Sequence, residues 1–175
     1  MTEESIPSDS VVIIDSSVLF AMGGPSNEKY QAFERHVQRQ NLTVYVPQQV
    51  AEELGESPDA YVYQRDRLKA AQDAGWLQPG EIDFTLATVS DVVDKTRRRM
   101  LALSADDITE DDIEKTDTIL AGLAYQYVVR KETHVTVLVS DTIAEQAIED
   151  VLSAVGVGDR TSVVEGRTLL QALVE

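Results

Sequence analysis

Apolar residues in this chain of 175 fall into two rhythms. Short continuous runs rich in β-branched residues, at 11–14, 43–46 and 135–139, read as strands buried on both faces. A last run at 162–164 has the same character, and 82–84 reads as a further short strand. Between the runs, apolar residues recur every three or four positions, the period of an amphipathic helix. Tyr30, Phe33 and Val37 do so within 27–40, and Tyr61, Leu68 and Ala71 within 58–74. Ile119, Leu120, Leu123, Ala124 and Tyr127 do so within 116–130. Further helices are predicted at 86–103, 143–155 and 166–174, and a short one opens at Ser16 and Ser17 until Met22-Gly23-Gly24-Pro25 breaks it. Pro47 suits the first turn of a helix, where a missing N–H costs nothing. Strands and helices alternate, which predicts a single-domain, three-layer α/β/α sandwich around a mostly parallel five-stranded sheet. Residues 1–9 are expected to be a disordered N-terminus, and 10–175 the domain, with an elaboration at about 75–115.

Carboxylates stand where these apolar segments stop. Val12-Ile13-Ile14 runs into Asp15, and Val137-Leu138-Val139 into Ser140-Asp141. Glu53 and Asp117 lie in amphipathic helical sequence, Gln48-Gln49-Val50-Ala51-Glu52-Glu53-Leu54 and Thr116-Asp117-Thr118-Ile119-Leu120-Ala121. In a parallel α/β sheet the strand C-termini share one edge, and ligands bind there. Acids delivered to that edge from several elements repel one another unless a cation joins them. That points to Mg²⁺ or Mn²⁺ and to phosphodiester hydrolysis, which needs a deprotonated water and a stabilised leaving oxyanion. Hard divalent ions with oxygen ligands supply both.

Each acid also has an ordinary explanation. Asp15 and Asp141 are good helix N-caps, and Asp117 complements the dipole of a first helical turn. Glu53 could be a solvated helix position, with Glu52 as its competitor, although Glu53 lies closer to a stripe formed by Val50 and Leu54. Asp112 and Glu114 replace Asp117 if the register differs. His36 and His134 have no metal-ligand spacing. Neither a Walker A loop nor a Gly-x-Ser-x-Gly elbow is present.

Charge bears on how such a site works. Asp and Glu number 31 against 15 Lys and Arg, a formal net charge of −16 spread along the chain. The acidity reads as adaptation to a high-salt cytoplasm, since halophiles use net charge in this way; a basic partner is the competing explanation. At molar salt the Debye length is about 3 Å, so distant acids hardly repel an RNA phosphate. Lys95, Arg97, Arg98 and Arg99 form the dense basic stretch and are candidate RNA contacts. Their ordinary alternative is a solvated helix face paired with acids. The chain has no Cys, which excludes disulfides and thiolate metal sites. No stretch is long and apolar enough to span a bilayer, and Met1-Thr2-Glu3-Glu4-Ser5 is acidic and without a signal-peptide core. A cytoplasmic protein with no membrane contact is expected.

Taken in order, these pieces resemble the PIN domain family of metal-dependent nucleases. Val12-Ile13-Ile14-Asp15-Ser16-Ser17 is similar to the family's first strand, its acid and the small polar residue two positions on. Val46-Pro47-Gln48-Gln49-Val50-Ala51-Glu52-Glu53-Leu54 is similar to its proline-led helix ending in Glu-Leu. Thr116 to Ala124 is similar to the helix with the third acid, and Val137-Leu138-Val139-Ser140-Asp141-Thr142 to the strand with the fourth. The resemblance implies a five-stranded parallel sheet between helices and an acidic pocket that binds one or two Mg²⁺ or Mn²⁺ ions and cleaves RNA. By this match Asp15, Glu53, Asp117 and Asp141 are the catalytic, metal-binding acids, with Ser17 and Ser140 in support.

The partners it implies are an RNA substrate, a second copy of the chain in a homodimer, and an antitoxin if the protein is a VapC-type toxin. The chain is longer than the small toxin members, with the extra length between the second and third acids, which favours a role in RNA processing or decay. A reading from another class is a non-catalytic PIN-like module that binds RNA or protein. A different α/β metal phosphoesterase would want Asp-x-Asp after the first strand, where this chain has Asp15-Ser16-Ser17.

Overall fold

Val11, Val12, Ile13 and Ile14 are all buried, and they divide by turns between two cores. Successive side chains of a strand point to opposite faces, so a strand apolar at every position must be covered on both sides. The computed structural model describes residues 6–50, 62–104 and 115–175. Strands β1 (Val11–Ile14), β2 (Thr43–Pro47), β3 (Leu77–Gly80), β4 (Val135–Val139) and β5 (Thr161–Glu165) form one sheet in the order β3-β2-β1-β4-β5, with every pairing parallel. Helices α1 (Ser16–Ala21), α2 (Glu28–Gln40), α3 (Val62–Asp73), α4 (Ala87–Leu103), α5 (Lys115–Lys131), α6 (Thr142–Ala154) and α7 (Gly166–Val174) cover it.

Val11 and Ile13 pack with Val92 and Met100 of α4, Leu120 and Leu123 of α5, and Ile148 and Leu152 of α6. Val12 and Ile14 pack with Val18 and Leu19 of α1, Phe33 and Val37 of α2, Leu68 of α3 and Leu170 of α7. The expected single-domain α/β/α sandwich is therefore what the chain forms. Each such side chain, once fully buried, contributes about 1.5–3 kcal/mol relative to exposure. Trp76 closes the second core at 6 % exposure, edge-on to Tyr30 and Phe33, and its indole N–H donates to Glu34 Oε2 at 2.9 Å.

Three details differ from the expectations. The strand beside β2 is Leu77-Gln78-Pro79-Gly80 rather than 82–84, because an edge strand tolerates a proline whose missing N–H faces away from the ladder. The segment after it is held instead by buried Gln126, whose amide donates to Glu81 O at 2.9 Å and accepts from Asp83 N at 2.7 Å. Pro47 ends β2, opposite Gly80, and the chain is helical from Gln48. At the N-terminus, residues 6–9 are tied to the body: Ile6 is 3 % exposed and Asp9 N donates to Gln40 O at 2.9 Å. Residues 105–114 of the expected elaboration, and Tyr61 as a core position, lie outside the described residues.

Candidate metal centre

In the order β3-β2-β1-β4-β5 the connections turn one way from β1 and the other way from β4, so the sheet reverses between these two strands. A crevice opens outside the strand C-termini at such a point. Asp15 follows β1 there, and Ser140 and Asp141 follow β4. The neighbouring register Ile14↔Leu138 continues into a hydrogen bond from Asp15 N to Leu138 O at 2.9 Å.

Asp15 is 6 % exposed, and its side chain does not cap α1; only its carbonyl does, accepting from Val18 N at 3.0 Å. The ordinary explanation for Asp15 thus fails. Ser17, the second residue of α1, donates to Asp15 Oδ2 at 2.8 Å, and its hydroxyl also lies 2.5 Å from that of Ser140. One hydroxyl thereby ties the ends of β1 and β4 together. Asp15 Oδ1 receives no hydrogen bond among the described residues.

Asp141 is exposed, and its Oδ1 accepts from Ile143 N at 2.8 Å, so its capping role is real. Its Oδ2 has no hydrogen-bond partner among the described residues. Asp117 is 4 % exposed in the first turn of α5. Because α5 leads directly into β4, it runs back across the sheet, and its first turn lies at the edge where the strands end. The structure thus brings Asp15, Ser17 and Ser140 into contact and sets Asp117 and Asp141 at the same edge. Glu53, with its competitors Glu52, Asp112 and Glu114, lies outside the described residues.

Among the described residues, no group of three His, Asp or Glu side chains is drawn close enough to hold a metal ion. The donors at the edge are carboxylate and hydroxyl oxygens, which suit a hard divalent ion. The imidazoles are elsewhere. Burial lowers the pKa of both His36 and His134, and His134 Nε2 sits 2.9 Å from Ser162 Oγ.

The basic stretch divides between two sides of α4. Lys95, Arg98 and Arg99 face a groove of about 480 Å³ shared with Asp150, Val151 and Ala154 of α6, while Arg97 turns to Asp94. Lys95 pairs with Asp91 at 2.9 Å and Arg99 with Asp150 at 2.8 Å. Arg98 meets no carboxylate among the described residues; its Nε points to Asp94 O at 3.5 Å.

The sequence reading passed over Gln48, Gln49 and Glu81, which line a cleft on the same edge. Their signal was position: the glutamines follow β2 directly, and Glu81 follows β3. No helix among the described residues is long and apolar enough to cross a membrane. A family model described as the halobacterial PIN domain matches residues 8–175. No curated protein and no solved structure matches the chain.

Proposed function

Because the chain belongs to the halobacterial PIN domain family, whose members are in general nucleases, we propose that it is a divalent-metal-dependent endoribonuclease that hydrolyses RNA phosphodiester bonds in RNA processing or decay. The observation that carries this reading is Asp15: a buried carboxylate at the sheet's switch point, not used as a cap, and held by a hydroxyl that also bonds across to the next strand.

Asp15, Glu53, Asp117 and Asp141 would hold one or two Mg²⁺ or Mn²⁺ ions, with Ser17 and Ser140 in support. The ion's chemistry is to lower the pKa of water and to offset charge on the phosphate and leaving oxygen. The chain's own part is preorganisation. Ser17 fixes the Asp15 carboxylate, and the Ile143 N–H fixes that of Asp141, so neither must be ordered when RNA binds. Of the basic stretch, we assign Arg98 to phosphate contact, with Lys95, Arg97 and Arg99 already engaged by acids.

The test is a Mn²⁺ titration by calorimetry at high KCl, on the native chain and on the Asp15→Asn/Asp141→Asn variant, alongside cleavage of structured RNA. Binding should vanish in the double variant. Asp15→Asn alone should slow cleavage by roughly 100-fold or more, the size of effect expected when one preorganised charged or polar group leaves a site. Equal heats from both proteins, or full cleavage by Asp15→Asn, would refute the assignment and favour a non-catalytic binding module.

A further inference from the structure

A cleft of about 270 Å³ opens beside the acidic edge, lined by Gln48, Gln49, Gly80, Glu81, Ile82 and Ile119. Its walls come from the residues that directly follow β2 and β3, and from Ile119, two positions beyond Asp117 on α5. The cleft therefore shares the ligand-binding edge of the sheet with Asp15 and Asp141 while lying on the other side of β1 from Asp141.

The chemistry of the walls is selective. Ile82 and Ile119 offer apolar surface. The Gln49 amide offers both a donor and an acceptor, and Glu81 offers acceptors alone. A nucleobase is a flat apolar disc with donors and acceptors on its rim, and this lining is its complement. The volume is just below the range of about 300–1,000 Å³ typical of pockets that enclose a whole ligand, which suits one base with its sugar and phosphate outside.

The wall is also built in advance. Gln126, 2 % exposed, grips the backbone of Glu81 and Asp83 from behind, and Arg130 pairs with Asp83. Gly80 is packed so closely that a Cβ there would lie 2.8 Å from Tyr127 Oη, which holds the strand end against α5.

We propose that this cleft is a base-recognition subsite of the RNA, in which Glu81 and Gln49 read the base edge and select bases bearing an exocyclic amino group over uracil. This rests on the nuclease reading above for its place next to a scissile phosphate. The carboxylate supplies the discrimination: adenine, cytosine and guanine present an exocyclic amino donor to it, whereas uracil has only its ring N3–H, flanked by two carbonyl oxygens that the carboxylate repels.

The experiment is a titration of the metal-free protein at high KCl with adenosine, cytidine, guanosine and uridine 5′-monophosphates, followed through the methyl NMR signals of Ile82 and Ile119. The expected result is saturable shifts of both isoleucines with at least one amino-bearing nucleotide, and binding of uridine monophosphate weaker by roughly tenfold, the scale of one lost base-edge pairing. Glu81→Gln, at an exposed position, should erase the preference while leaving the fold intact, and Gln49→Ala should weaken binding of all four. Shifts absent from both isoleucines, or a preference unchanged in Glu81→Gln, would overturn the proposal. Because no metal and no cleavage enter this readout, its failure leaves the nuclease reading standing. Conversely, nucleotide binding by a protein that cuts no RNA would keep the subsite and remove the nuclease.

Discussion

A carboxylate that is 6 % exposed needs partners for its charge, and among the described residues Asp15 finds one hydrogen-bond donor, Ser17. The same hydroxyl reaches Ser140, so one small side chain links the first and fourth strand ends. Hydrogen bonds to charged groups contribute about 1.5–3 kcal/mol. Ser17→Ala should therefore lower stability by about that amount in urea melts and weaken Mn²⁺ binding, because Asp15 loses its fixed orientation; Ser17→Thr should retain most of both. An alanine variant that melts and binds as the parent does would show that the Asp15 carboxylate is held by other groups. Ser17 was visible beforehand only as the small polar residue two places after an acid. Its contact with Ser140 was not visible, since 123 positions separate the two.

At the level of elements, the acids are aimed by how helices seat on strands. Helix α7 begins at Gly166, where a Cβ would lie 2.5 Å from both methyl carbons of Val18. Valine is β-branched and stiff at χ1, so it has no easy way to yield. Gly166→Ala should cost about 1–3 kcal/mol, the usual range for overpacking a full core, and should also disturb α1, which carries Ser17. A urea melt together with a Mn²⁺ titration checks both; a variant of unchanged stability would mean that α1 and α7 are free to separate. Periodicity alone located β1, β4 and the buried faces of α2 and α5, because those segments are long or wholly apolar. It misplaced the edge strand. Leu77-Gln78-Pro79-Gly80 has half-exposed chemistry and a proline, and only its pairing with Val44 to Pro47 marks it as a strand. The basic stretch divides for a related reason: adjacent in sequence, its residues point to different sides of α4.

For the whole molecule, the excess of acids is the dominant long-range term. The crowding is visible at Glu145, whose pKa is raised first by burial and then by the neighbouring charges of Glu149 and Glu165. Raising KCl from about 0.1 M to about 1 M shortens the Debye length from about 10 Å to about 3 Å. Thermal melts should accordingly shift upward by several degrees across that range, whereas a Tm insensitive to KCl would mean that self-repulsion is not what limits stability. Several properties follow from sequence alone. Apolar runs and helical periods are local, so strand and helix identities, the three layers and the acids at strand ends could be read one segment at a time. The absence of cysteine and the charge of −16 needed no fold at all. Other properties are relations between distant segments and exist only once the sheet has formed. The order β3-β2-β1-β4-β5 creates the switch point, brings Ser140 onto Ser17, and opens the cleft between the ends of β2 and β3 and the first turns of α5. No local pattern encodes these, because each depends on which strands pair and in which register, and that is decided by packing the two cores together.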